Sequence, residues 1–390
     1  MDDIKNTIIC GNSLEVIPTW QAESVDCCVT SPPYWGLRDY GLPPTKWPDG
    51  SVCCYGLEPT PELYVEHTVL IFAEVWRVLK PEGTLWLNLG DSYNSGLPGS
   101  RDKERWPKQS RNDHRPLSRS LCSNLKTKDL VGIPWRVAFA LQAAGWYLRQ
   151  DIIWHKPNPM PESVKDRCTK AHEYIFLLTK QPKYYCDMDA IKEPSIRPNE
   201  KQTFGGEKAR SGQEQGGDPR NGHRANQNSQ WGKDHTTGIA RNKRSVWTVT
   251  TKPYSEAHFA TFPPDLIEPC ILAGCPEHVC KKCGKARTRI TEGEQIKRRR
   301  KTPVTKPCNE RSPSANAVAG VETKTTGWSD CGCGAGFQPG IVLDPFMGSG
   351  TTAMVAYENR RDYVGCEMNP DYIKLNRADK AKAKYGLFES

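Results

Sequence analysis

Residues 61–89, PELYVEHTVLIFAEVWRVLKPEGTLWLNL, constrain the fold more than any other stretch. Val65, Val69, Phe72, Trp76 and Leu79 recur at alternating steps of four and three, one face of an α-helix. PEG then breaks the pattern before TLWLNL, whose length and apolar content suit a buried strand. The same alternation runs through the chain. Strands are expected in NTIIC, VDCCVT, WYLRQDIIW, EYIFLLT, GIVLDPF and YVGCEM, with helices near SLEVIPTW and DLIEPCILAG and in PWRVAFALQAAG, TTAMVAYENR and YIKLNRADKAKAKYG. This order implies an α/β fold built on a mostly parallel, doubly wound sheet. In such sheets ligands sit beyond the carboxyl ends of the strands.

At 390 residues the chain can bury a full core as one large domain with insertions, or as a domain with a small satellite. No apolar run approaches the ~20 residues of a bilayer span, and the start MDDIKNT is not a signal peptide. A soluble, cytoplasmic protein with no membrane partner is expected. Several of the 16 cysteines lie in strand-like runs such as VDCCVT, so most read as reduced thiols, with a few reserved for metal. The net charge of +9 is unevenly spread: residues 95–128, 196–244 and 281–328 are strongly basic, and the rest of the chain is acidic. These segments are rich in Gly, Asn, Gln, Ser and Arg, which cannot pack a core alone. Three of them around one α/β unit point to a polyanion partner, where clustered Lys and Arg gain most.

Two strand ends carry chemistry. In LDPFMGSGTTA, residues 343–353, Gly348 and Gly350 let the backbone approach a ligand and the following helix offers free N–H groups. Asp344 could accept from a ligand amine, and about one strand later Glu367, in YVGCEMN, stands where an acid can bind ribose hydroxyls. The pattern lacks the Gly-Lys-Ser/Thr of nucleoside triphosphate sites. The other end is VTSPPY, where a strand stops at two prolines flanked by Ser31 and Tyr34. The cysteines supply a further constellation. Cys280 and Cys283 in CKKCGK and Cys331 and Cys333 in CGCG form two close pairs, read as a four-thiolate structural zinc site in a small zinc-ribbon-like segment. The basic run KRRRKTPVTK is expected to loop out between the pairs, with Cys275, His278 and Cys308 as reserve ligands.

TSPPY upstream, then HFATFPPDLIEPCILAG, DPFMGSGTT and VGCEMN, resembles the β-group DNA amino-methyltransferases, in particular their cytosine-N4-specific members. Their catalytic motif precedes their cofactor motif, and the resemblance spans nearly the whole chain. It implies a Rossmann-like sheet that binds S-adenosylmethionine, flips a base out of double-stranded DNA and methylates its exocyclic amine without a covalent intermediate. It assigns Asp344, Phe346, Gly348, Gly350 and Thr351 to the cofactor pocket and Glu367 to the ribose. Phe259 to Pro263, including Phe262 and Pro263, would help cover the methionine end, and Cys10 to Asn12 would lie near the adenine. Many relatives carry an acid where Asn12 stands.

On this reading Ser31 Oγ and the Pro32 carbonyl would hold the amine hydrogens out of the ring plane, Pro32 and Pro33 would fix the backbone, and Tyr34 would stack on the extruded base. Trp35, Arg38 and Tyr40 would line the base pocket, and Lys156 and Arg167 would contact phosphate. His155 reads first as a structural histidine, with substrate contact as the alternative. A ring-carbon enzyme would need a nucleophilic cysteine beside proline, and the Pro-Cys pairs in EPCIL and KPCNE are misplaced for it. Serine at the first tetrad position favours cytosine N4. Adenine N6 remains the alternative, and a catalytically silent DNA-binding protein is the rival from another class. Residues 1–94 would form the catalytic half, 95–128 a basic loop, 129–195 its continuation and 196–244 a target-recognition insertion. Residues 245–274 and 340–390 would form the cofactor half, and 275–339 a zinc-binding insertion. A cognate restriction endonuclease is left open as a further partner.

Overall fold

The computed structural model describes residues 2–94, 125–194, 201–202, 235–236, 240–251, 262–297 and 318–386. Most of the three basic stretches, Phe259–Thr261 and Cys308 lie outside the described residues. The chain divides into two compact units, one of Met1–Ala190, Arg244–Thr288 and Asp330–Ser390, the other of Ile191–Lys243 and Arg289–Ser329.

The larger unit holds an eight-stranded sheet. Its strands are β1 (Thr7–Cys10), β2 (Val25–Thr30), β3 (Leu79–Leu89), β4 (Tyr147–His155), β5 (His172–Thr179), β6 (Val246–Thr248), β7 (Ile341–Asp344) and β8 (Asp362–Glu367). They lie in the order β1-β8-β7-β2-β3-β5-β4-β6. All neighbours pair in parallel except β5, which runs antiparallel to both β3 and β4. The exception has a local cause. Segment 156–171, between β4 and β5, contains no helix, and parallel pairing of consecutive strands needs a crossover connection that is usually helical. Helices α1 (Ser13–Val16), α2 (Pro61–Val78), α3 (Ile133–Ala143), α4 (Pro264–Gly274) and α5 (Thr351–Glu358) complete the alternation, followed by α6 (Pro370–Lys374) and α7 (Arg377–Gly386). Every residue of β2 is buried, which is why VDCCVT shows no polar alternation.

Helix α2 is rotated from the face its hydrophobic spacing predicts. Tyr64, His67, Thr68, Ile71, Phe72, Val75 and Val78 are buried, whereas Val65, Val69 and Trp76 are only partly covered. The buried polar members all have partners. Tyr64 donates to the Pro33 carbonyl at 3.0 Å, His67 pairs with Glu58 at 3.0 Å, and Thr68 Oγ1 lies 2.7 Å from the Tyr55 hydroxyl. Satisfied polar groups can be buried at little cost, so a pattern drawn from apolar residues alone misses them. Leu79 belongs to β3, which starts five residues before TLWLNL. PEG sits in a register irregularity of that strand, since Val25 pairs with Leu79 and Cys27 with Thr84.

In the smaller unit, Arg289–Lys297 pairs antiparallel with Val318–Trp328, irregularly at Ile290/Thr291 and Ile296/Lys297. The Arg289 guanidinium lies 4.7 Å from the centre of the Trp328 ring. Among the described residues no helix is long and apolar enough to cross a membrane.

Candidate active site

The carboxyl ends of β2, β3, β7 and β8 bring both loaded motifs to one edge of the sheet. Ser31 follows directly on β2. Its Oγ lies 3.2 Å from the Tyr34 hydroxyl and 3.3 Å from Asn88 Oδ1, near the end of β3. The Tyr34 hydroxyl donates to Glu173 Oε2 at 2.7 Å, and Lys156 pairs with the other oxygen of Glu173. Asn88 is 3 % exposed, and its amide donates to the Tyr174 carbonyl at 3.0 Å, which points Oδ1 at Ser31 and Tyr34. Burial, reinforced by the Glu173 charge, pushes the Tyr34 phenol well above its ordinary value. The Tyr34 ring lies against Gly90, where an added Cβ would fall 2.5 Å from Cε2.

The loop after Tyr34 is held from below. Trp35 is 3 % exposed, and its indole N–H donates to the Glu58 carbonyl at 2.9 Å. Expected at the base pocket, Trp35 instead packs in the core under the loop. The Glu58 carboxylate accepts from Gly56 N at 2.8 Å, and Gly36 N donates to the Gly56 carbonyl at 2.7 Å. Tyr40 is half-buried, and burial raises its phenol, with Arg38 opposing and Glu367 adding to the shift.

Asp344 ends β7 and is 1 % exposed. Its Oδ1 accepts from Thr30 Oγ1 at 2.6 Å and from Phe346 N at 2.9 Å, and its Oδ2 accepts from Thr352 Oγ1 at 2.6 Å. Burial pushes its carboxyl up to about 6 against those three donors. Asp344, expected to accept from a ligand amine, also ties the two motifs together. Glu367 ends β8, accepting from Gly348 N at 2.8 Å through Oε2 and from Asn369 N at 2.7 Å through Oε1. Each oxygen keeps a lone pair for a further donor.

Around Glu367, Cys10 is its register partner on β1. Asn12 caps α1 by accepting from Leu14 N at 3.1 Å and donates to Thr45 Oγ1 at 3.1 Å. Phe346 stacks on Tyr55 at 5.4 Å. Gly350 begins α5 with φ 80°, and a Cβ there would fall 2.6 Å from Asn376 Oδ1. Thr351 accepts from Arg377 Nη1 at 2.9 Å. Pro263 caps α4, with Phe262 half-buried before it.

Lys156 and Arg167 are both engaged within the protein. Lys156 sits 4.2 Å from the centre of the Trp154 ring as well as on Glu173. Arg167 pairs with Glu162 at 2.6 Å and lies 3.9 Å from the centre of the Tyr93 ring. His155 stands 3.2 Å from Thr248 Oγ1 and is exposed. Cys270, of EPCIL, is buried in α4 with Sγ 3.7 Å from the Leu266 carbonyl. Asn88 and Glu173 belong to neither sequence motif, yet both bond to the tetrad. Their signal was a polar residue in an otherwise apolar strand run, in TLWLNL and in HEYIFLL.

Cys280, Cys283, Cys331 and Cys333 converge with all four sulfurs within 4.8 Å of one another. Val279–Cys280 pairs antiparallel with Phe337–Gln338, and Cys280 N donates to the Lys285 carbonyl at 2.9 Å. Backbone N–H groups of Cys283 and then Lys282 lower the Cys280 thiol to about 6, while Cys333 is pushed up to about 12, first through its bond to Cys331. Four sulfurs this close could together hold one divalent cation. Cys275 and His278 lie outside this cluster.

Fold and site together define a DNA methylase. Residues 25–279 and 337–378 match the N6/N4 DNA methylase family, and the chain belongs to it. It is 38 % identical over 371 residues to the type II methyltransferase M.XycI of Xanthomonas campestris pv. cyanopsidis, covering 95 % of this chain and 86 % of that one. It is 37 % identical over 369 residues to the type II methyltransferase M.SmaI of Serratia marcescens, covering 94 % and 88 %. The fold is similar to that of the PvuII cytosine-N4-specific DNA methyltransferase, with a TM-score of 0.50 at 15 % identity over 97 % of this chain and 91 % of that one.

Proposed function

We propose that this DNA methyltransferase acts on the exocyclic N4 amine of cytosine in double-stranded DNA, extruding the base and using S-adenosylmethionine with no covalent intermediate. The observation that carries this reading is the pair of oxygens able to accept at the ends of β2 and β3, Ser31 Oγ and Asn88 Oδ1, 3.3 Å apart. An exocyclic amine is a poor nucleophile because its lone pair delocalises into the ring. Acceptors that draw its hydrogens out of plane relocalise that pair, and the Pro32 carbonyl can join them. The buried Cys270 offers no nucleophile for ring-carbon chemistry. The PvuII neighbour is named as cytosine-N4-specific, in keeping with serine at the first tetrad position.

The residues of β7 and β8 fit the cofactor. Ser349 Oγ is buried with no hydrogen-bond partner, and nothing stands within 4 Å of where a Cβ would sit on Gly348. This leaves an unspent polar group and open room in the same turn. Glu367 would take the ribose hydroxyls, with Cys10, Asn12, Phe346 and the Phe262–Pro263 step around the rest. Bound S-adenosylmethionine supplies an electrophilic sulfonium methyl. The protein's share is to hold the amine in line with it, which is where proximity gains most.

The four-cysteine cluster fits a structural zinc ion, and the basic segments fit the DNA backbone. Because the relatives at 37–38 % identity are type II methyltransferases, a cognate restriction endonuclease is proposed as the partner enzyme. The test is transfer of labelled methyl from S-adenosylmethionine to unmodified genomic DNA. Label is expected with the wild-type protein and lost in Ser31→Ala. Cofactor binding without any labelled DNA would favour the catalytically silent reading.

A further inference from the structure

Methylating an amine releases a proton, and the tetrad supplies no base to receive it. Ser31, Pro32, Pro33 and Tyr34 include no carboxylate or imidazole, and the Asn88 amide takes no proton at neutral pH. The carboxylate of Asp344 is buried and already accepts from Thr30, Phe346 N and Thr352. Beside the tetrad, Ser31 Oγ lies 3.2 Å from the Tyr34 hydroxyl; both also reach Asn88 Oδ1, at 3.3 and 3.0 Å, but the shortest bond of the group runs from the Tyr34 hydroxyl to Glu173 Oε2 at 2.7 Å. Lys156 on Oε1 leaves Oε2 turned to Tyr34.

We infer that Ser31, Tyr34 and Glu173 form a proton exit, with Glu173 as the terminal acceptor; the inference rests on the amino-methyl-transfer reading above. As the nitrogen lone pair forms the N–C bond, the S–C bond breaks and its electron pair stays on sulfur. The nitrogen then carries a positive charge and one hydrogen too many. That proton passes to Ser31 Oγ while the Ser31 proton moves to Tyr34 and the Tyr34 proton moves to Glu173. The result is a neutral secondary amine, neutral Ser31 and Tyr34, and a protonated Glu173 that later releases its proton to water. Tyr34 is a conduit and not a store, because burial and the Glu173 charge keep its phenol protonated. The charged and titratable groups around Glu173 are Tyr34, Lys156, Lys170 and His172.

Glu173→Gln removes the acceptor at constant shape, and Tyr34→Phe cuts the chain while leaving the ring. In single-turnover assays each is expected to slow methyl transfer by about 100-fold, within the range of general acid–base catalysis. Affinity for S-adenosylmethionine should stay within about twofold, because binding uses the other strand ends. The double variant should be no slower than the slower single, since both break one path. Should Glu173→Gln fail to fold, Tyr34→Phe carries the test. A rate within about threefold of wild type in either variant, or multiplicative losses in the double, would overturn the inference. A wild-type protein that places no methyl in DNA would instead overturn the functional reading beneath it.

Discussion

Thr30 donates a 2.6 Å hydrogen bond to Asp344 across the adjacent parallel strands β2 and β7. It joins the residue before the Ser-Pro-Pro-Tyr tetrad to the residue that opens the glycine turn. Both groups are buried, Thr30 at 1 % and Asp344 at 1 % exposure. The bond braces the start of the catalytic turn against the start of the cofactor turn, so substitutions at Thr30 and Asp344 should not act independently.

Thr30→Val keeps the shape and removes one of the two donors to Asp344 Oδ1, leaving Phe346 N; loss of a hydrogen bond to a charged group costs about 1.5–3 kcal/mol. Asp344→Ala should cost at least as much and should lower both cofactor affinity and turnover. Chemical denaturation of the two single variants and the double should show clear non-additivity, because the residues share one bond. Simple addition would mean that the bond carries no energy.

Burial sets the Asp344 carboxyl at about 6, above the usual carboxylate value of 3.8. Between those values the folded chain binds more protons than the unfolded one. The contribution is thus present at acid pH and lost as pH rises through about 6, up to ~3 kcal/mol for a shift of this size. Asp344→Asn can still accept from Thr30 and Phe346 N. Its urea midpoint, compared with wild type at pH 4.5 and pH 7.5, should gain relative stability at the higher pH. Parallel pH profiles would count against a raised carboxyl.

Gly90→Ala would drive a methyl group into the Tyr34 ring, since a Cβ there falls 2.5 Å from Cε2. Turnover should drop by about tenfold or more, as for other displacements of a positioned group, while equilibrium cofactor binding changes little. An unaffected rate would show that the Tyr34 ring is free to move.

Purified protein should hold about one zinc ion per chain in a site of this thiolate type. Cys280→Ser or Cys333→Ser should lose the metal and weaken DNA binding more than cofactor binding, because structural zinc provides local folding energy. Metal analysis of protein prepared without chelators decides the matter, and no zinc would refute the site.

Much of the sheet was legible because buried strands write themselves as apolar runs, VDCCVT above all. The reversal of β5 was not. It depends on the absence of a helix in 156–171, and EYIFLLT reads alike in either direction. Both motifs were visible as residue types, but their bond was not, because Thr30 and Asp344 stand 314 positions apart. The same limit hid the pairing of Lys156 with Glu173. A lysine after a strand reads as a phosphate ligand until its neighbour is known. Trp35 was misplaced for a related reason: an aromatic ring beside a catalytic motif suits a base pocket equally well as a buried brace. Lys156→Ala should accordingly slow turnover while leaving the salt dependence of DNA binding unchanged. A loss of about one unit of salt slope would restore its role as a phosphate contact.

The most direct test of amino-methyl transfer to cytosine is the mass of the modified nucleoside. DNA from cells expressing the protein, digested to nucleosides, should contain N4-methylcytosine, absent when Ser31→Ala is expressed. N6-methyladenine without N4-methylcytosine would contradict the assignment of cytosine to this site.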